Sequence, residues 1–131
     1  MPRPRILVVD DQPHIARITR MMLEQAGKYD IAQETRSSQV VETTKEFSPD
    51  VIVLDLNMPG KDGREIAREI WKDEALHSTA ILFFCGLVPP PDAALEDSAR
   101  GPFRFISKLI PSQDLLSAID EILAESKVSS T

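Results

Sequence analysis

Apolar residues recur along this chain in two alternating rhythms. Short unbroken runs appear at Ile6-Leu7-Val8-Val9, at Val51-Ile52-Val53-Leu54 and at Ala80 to Cys85, and a more aromatic run, interrupted by Arg104, at Phe103 to Ser107. Runs of this length, rich in β-branched residues and bounded by turn formers, predict buried strands. A weaker segment, Asp30 to Gln33, predicts a fifth. The run at Val51 is the most apolar and β-branched, which predicts the central strand. Between the runs the spacing changes to three and four. Ile15, Ile18, Met22 and Leu23 form one helical face, opened by Pro13 and closed near Gly27. Val40, Val41, Thr44 and Phe47 form a second face, with Ser37 or Ser38 as its cap. Ile66, Ala67, Ile70 and Trp71 form a third. Leu115, Leu116, Ile119, Ile122 and Leu123 form the last, starting near Pro111 or Ser112. Residues 92 to 100 predict a short fourth helix, displaced by Pro89-Pro90-Pro91, which cannot continue a helix. From Ser126 onward the chain is polar, which predicts fraying.

Strands alternating with helices imply an α/β fold. The expected architecture is a doubly wound, five-stranded parallel sheet with five helices on its two faces. Right-handed crossovers leave few strand orders for such a sheet. The 131 residues suit a single domain with its core at about residues 5–125, and show no repeat and no linker to a second domain.

Composition removes several classes of function. The apolar fraction of 42% and charged fraction of 27% are ordinary for a soluble globular domain. The formal net charge of -6, without a long Lys/Arg cluster, argues against direct contact with nucleic acid. No stretch approaches the roughly 20 apolar residues of a membrane helix. The single cysteine, Cys85, excludes an internal disulfide. These features make a cytoplasmic location the expectation. No Ser-His-Asp, Cys-His or zinc spacing is present, and a phosphatase with an Asp nucleophile would need a second general acid and a substrate-covering domain for which 131 residues give no room, so the chain is not expected to be an enzyme.

The candidate chemistry sits at the ends of the runs. Asp10 and Asp11 follow the first, Asp55 ends the third in chain order, and Lys108 follows the last. In open parallel sheets the working groups collect at the carboxyl ends of the strands. Three carboxylates and one lysine should therefore face one pocket, suited to a hard cation and a phosphate. Asp62, in the turn before Gly63, reads as a turn residue rather than a ligand.

Three segments carry a family resemblance. They are Val8-Val9-Asp10-Asp11-Gln12-Pro13, Val53-Leu54-Asp55-Leu56-Asn57-Met58-Pro59-Gly60-Lys61-Asp62-Gly63, and Phe105-Ile106-Ser107-Lys108. In this order the chain resembles the receiver domain of two-component response regulators, a flavodoxin-like module phosphorylated on Asp. The resemblance implies strand order 2-1-3-4-5. It makes Asp55 the phosphoacceptor and Lys108 the cation for a phosphoryl oxygen. Mg²⁺ would be held by Asp10, Asp11, Asp55 and the backbone carbonyl of Asn57. The implied partners are a histidine kinase or a histidine phosphotransfer protein and an unknown downstream protein. Without an output domain after residue 125, a stand-alone phosphoprotein acting by protein contact is the expectation. The alternative is a degenerate receiver that binds proteins without regard to phosphorylation.

The chain departs from the family at several places. Cys85, followed by Gly86, stands where a Thr or Ser hydroxyl normally bonds the phosphoryl group, and a thiol is a weak donor. Nearby carboxylates should also raise the thiol pKa and oppose redox reactivity. Leu109 follows Lys108 where the family has a cis proline; a cis bond here would cost about 2.5–4 kcal/mol. Phe105 occupies the aromatic switch position, where burial would favour an inward ring. Leu87 occupies a position that helps set dephosphorylation rate in the family.

Overall fold

The computed structural model describes residues 3–56, 58, 60, 62–86, 100–109 and 112–129. Its strands are β1 (Arg5–Val9), β2 (Asp30–Glu34), β3 (Val51–Asp55), β4 (Ala80–Cys85) and β5 (Phe103–Ser107). The helices among the described residues are α1 (Pro13–Glu24), α2 (Val40–Phe47), α3 (Gly63–Lys72) and α4 (Ser112–Ser129). The proposed short helix at 92–100 lies outside the described residues except for Arg100, and Leu87 lies outside them as well.

All strands are parallel, in the order β2-β1-β3-β4-β5. The run at Val51 is indeed the central strand, buried along its whole length. Side chains of a strand point alternately to its two faces, and this chain uses both. Leu7, Val9, Ile52, Leu54, Ile81 and Phe83 pack with Val40 of α2 and with Ile66, Ala67, Ile70 and Trp71 of α3. Ile6, Val8, Val51, Val53, Leu82 and Phe84 pack with Ala16 and Leu23 of α1 and with Leu115, Ile119 and Ile122 of α4. Continuous apolar runs, rather than alternating ones, are what two covered faces require.

Three helix ends differ from the sequence expectation, and Ile18, placed on the apolar face of α1, is exposed. Ser37 and Ser38 do not cap α2. They wind into a 3₁₀ turn, Ser37–Gln39, and α2 starts after Gln39 without a side-chain cap. A short 3₁₀ turn satisfies backbone groups at a helix start without a cap. Helix α1 ends at Glu24, and Gly27 then takes a φ of 67° that turns the chain toward β2. The polar tail beyond Ser126 stays helical to Ser129, since no Pro or Gly interrupts it.

Asp62 is the N-cap of α3. Its Oδ1 accepts the Arg64 N–H at 2.8 Å, which satisfies one of the open donors of the first turn. The turn reading of this residue therefore has a specific structural content. It also fixes the helix that lies next to the carboxyl end of β3.

Candidate functional site

The carboxyl edge of the sheet gathers the acidic strand ends. The backbone N–H of Asp10 donates to the Glu34 carbonyl at 3.2 Å, which continues the β1–β2 ladder by one residue. The Asp10 Oδ1 accepts the Gln12 N–H at 3.0 Å, turning the chain into α1. Asp55 is the last residue of β3 and pairs in register with Phe84 of β4. Both carboxylates are buried, 2% exposed for Asp10 and 4% for Asp55. Asp11 is half-buried. One oxygen from each of Asp10, Asp11 and Asp55 lies within 4.8 Å of the others.

Lys108 reaches into this cluster from the end of β5. Its Nζ is 3.1 Å from Asp10 Oδ2 and 3.2 Å from Asp55 Oδ1. Burial disfavours the ammonium, but the two carboxylates outweigh it and hold the Lys108 pKa above the ordinary lysine value. The ammonium thus partly neutralises two anions that share a buried site. The backbone carbonyl of Asn57 lies outside the described residues.

Gly63 brings α3 against the same strand end. A Cβ there would lie 2.6 Å from the Asp55 carbonyl oxygen and 3.0 Å from Leu56 Cα, both backbone atoms. Its N–H donates to the Leu56 carbonyl at 3.0 Å. Only glycine permits this approach, so the turn after Asp55 depends on it.

Cys85 closes β4 and is buried. Its Sγ donates to the Ile106 carbonyl at 3.3 Å. Burial, the largest influence, pushes the thiol pKa up, and Asp55 adds to it against the opposing effect of nearby backbone groups and Lys108. The direction matches the sequence expectation, but burial rather than the carboxylates dominates. Phe105 is partly buried and stacks on Phe83 with centroids 4.8 Å apart and planes at 18°. It also meets Phe103 edge-on at 6.2 Å. No cis peptide bond occurs among the described residues, so Lys108–Leu109 is trans.

Glu34 escaped the sequence reading. Its carboxylate is buried beside the site and accepts from Thr35 N, Arg36 N and Arg36 Nε at 2.9–3.1 Å, and from Thr43 Oγ1 at 2.6 Å. Burial favours the neutral acid, but the Arg36 and Thr43 bonds prevail and hold its pKa below the usual glutamate value. A depressed carboxylate pKa contributes stability above the unfolded-state value, and this is lost as pH falls through the folded-state value. Glu34→Gln is expected to lower stability by about 1.5–3 kcal/mol at neutral pH, the range for hydrogen bonds to a charged group. The difference should shrink in acid; urea unfolding at both pH values measures it.

Fold and site together define a doubly wound α/β protein with an acidic pocket and one lysine at the carboxyl ends of its strands. The profile of the response regulator receiver domain matches residues 6–120. The chain is 29% identical over 119 residues to the chemotaxis protein CheY of Bacillus subtilis, covering 91% of this chain and 97% of that one. It is 30% identical over 125 residues to the DNA-binding dual master transcriptional regulator RpaA of Synechocystis, covering 91% of this chain and 52% of that protein. The chain therefore spans about half of the latter's length. A receiver domain protein from Clostridium thermocellum superposes with a TM-score of 0.79 at 28% identity, covering 95% of this chain and 98% of that one. The chain belongs to the receiver domain family of two-component response regulators. No helix among the described residues is long and apolar enough to cross a membrane.

Proposed function

We propose that the domain accepts a phosphoryl group on Asp55 from a phosphohistidine of a histidine kinase or histidine phosphotransfer protein, in a Mg²⁺-dependent reaction in the cytoplasm. The observation that carries this reading is the convergence of Asp10, Asp11 and Asp55 with the Lys108 ammonium at one sheet edge. An Asp55 carboxylate oxygen attacks phosphorus, the phosphorus–nitrogen bond breaks, and the imidazole departs with the electron pair. The product is an acyl phosphate. Lys108 exchanges a carboxylate partner for a phosphoryl oxygen, a role suited to a compact charge on a flexible stem. Phosphoryl transfer depends mainly on such positioning and charge neutralisation.

The donor set fits a hard cation, since it consists of carboxylate oxygens without nitrogen or sulfur ligands. Asp10, Asp11 and Asp55, with the Asn57 carbonyl, would hold Mg²⁺, which supplies the positive charge that lets one anion approach another. Phosphorylation is then read by a downstream protein through contact. The activities of longer relatives, such as DNA binding, are properties of those proteins.

A second reading has its own support. Cys85 Sγ is engaged by the Ile106 carbonyl, and the Phe105 ring is stacked on Phe83. Both weaken the path from site to surface and favour a receiver whose protein binding ignores phosphorylation. Titration with beryllium fluoride separates the two. Mg²⁺-dependent binding, with amide shifts in NMR spectra around Asp55 and Lys108, is expected. Identical spectra with and without the mimic would leave the phosphorylation-independent module.

A further inference from the structure

We propose that Ser107 is a positioning residue for Lys108, an inference that rests on the phosphoacceptor reading above. The place of the ammonium depends on where the backbone of Lys108 is held. That backbone leaves the last strand of the sheet at an edge, where β4 is its strand neighbour among the described residues. The Lys108 N–H donates to the Cys85 carbonyl at 2.6 Å. Ser107 pairs in register with Cys85, one residue earlier. Its hydroxyl donates to the Gly86 carbonyl at 3.2 Å and accepts the Leu109 N–H at 3.1 Å.

Three hydrogen bonds therefore bracket Lys108, and two of their acceptors are consecutive carbonyls at the end of β4. A hydroxyl that accepts the N–H two residues ahead closes a side-chain turn of the kind Ser and Thr form. Leu109 cannot supply the restraint itself. It has no ring to fix its φ, its peptide bond to Lys108 is trans, and it is 72% exposed, so burial does not anchor it. The Ser107 hydroxyl closes the turn instead, and the same atom ties it to Gly86 beside Cys85. Loss of that oxygen removes both links and, among the described residues, leaves the Lys108 N–H bond to the Cys85 carbonyl. Displacement of a catalytic group by about 1 Å can cost on the order of a hundredfold in rate. A loosened rather than displaced lysine should lose less, about tenfold.

The test compares phosphorylation rates from acetyl phosphate with saturating Mg²⁺ for wild type, S107A, S107T, K108A and the double variant S107A/K108A. Ser107→Ala should slow the reaction about tenfold, and Ser107→Thr, which keeps the hydroxyl, should restore most of the rate. In the Lys108→Ala background, Ser107→Ala should add no slowing, which a general structural defect would not reproduce. Equal rates for wild type and S107A would overturn the proposal, as would the same slowing in both backgrounds. Hydrogen exchange at the Leu109 amide of the unphosphorylated protein gives a reading independent of the reaction. Protection in wild type and S107T with loss in S107A is expected; no protection in wild type overturns the turn itself. A wild type that takes no phosphoryl group refutes the phosphoacceptor reading and this proposal together, a result distinct from wild type and S107A reacting alike.

Discussion

Phe83→Ala is expected to lower the unfolding free energy by about 3–5 kcal/mol, the range for truncating a buried aromatic side chain. Phe83 lies fully buried in β4. Its ring is flanked by Phe105, stacked at 4.8 Å, and by Phe103, edge-on at 6.4 Å. Phe103 in turn contacts Trp71 at 5.7 Å, and the Trp71 indole donates to the Thr79 carbonyl at 3.0 Å. The aromatic group joins the edge strand β5 to β4 through Phe83 and to α3 through Trp71. Removing the Phe83 ring loses transfer free energy and leaves a cavity beside the Phe103 and Phe105 rings. It also takes away the stacking partner of Phe105, worth about 0.5–1.5 kcal/mol for such pairs. Because domains of this size are stable by about 5–15 kcal/mol, the variant should be marginal. Urea unfolding followed by circular dichroism measures the loss. A change below about 1 kcal/mol would show that the group carries little of the packing.

Lys108→Ala is expected to separate two properties that a merely damaged site would lose together. The phosphorylation rate should fall by about a hundred- to a thousandfold, comparable to removing one preorganised donor from a transition-state site. Mg²⁺ affinity should rise. The ammonium now sits 3.1–3.2 Å from oxygens of Asp10 and Asp55, two of the carboxylates that would hold the ion, and competes with it electrostatically. At an effective dielectric of about 20 and a separation of several ångströms, unit charges interact by a few kcal/mol before screening. An affinity gain of roughly tenfold is a realistic residue of that repulsion. The apo variant should also be less stable, since two buried carboxylates lose their counter-charge, and Mg²⁺ should restore it. Calorimetric titration with Mg²⁺, set beside the acetyl phosphate rate, checks both directions. Weaker Mg²⁺ binding in the variant would contradict this placement of charge.

Several features were legible in the chain because one physical cause dominates each. The runs at Ile6, Val51 and Ala80 are apolar throughout, and two covered sheet faces demand that pattern. Asp55 and Lys108 stand at strand ends, where parallel sheets collect functional groups, so their meeting followed from topology. Other features depend on tertiary context. Ser37 and Ser38 are good caps by propensity, yet the chain uses them in a 3₁₀ turn before α2. Glu34 ends the weakest strand, with a carboxylate whose five contacts come from a loop and from α2, so no local pattern announces it. The Phe105 stack on Phe83 requires the β4–β5 register, which hydrophobic periodicity does not encode. Ser107 looks like an ordinary strand end until Gly86 and Leu109 are placed around it.

Mass spectrometry of the protein incubated with acetyl phosphate and Mg²⁺, with Asp55→Asn as the control, tests the phosphoacceptor site most directly. A mass gain of one phosphoryl group, removed by hydroxylamine and absent from the variant, is the expected result. No gain on wild type, or an equal gain on both proteins, would contradict the assignment of Asp55.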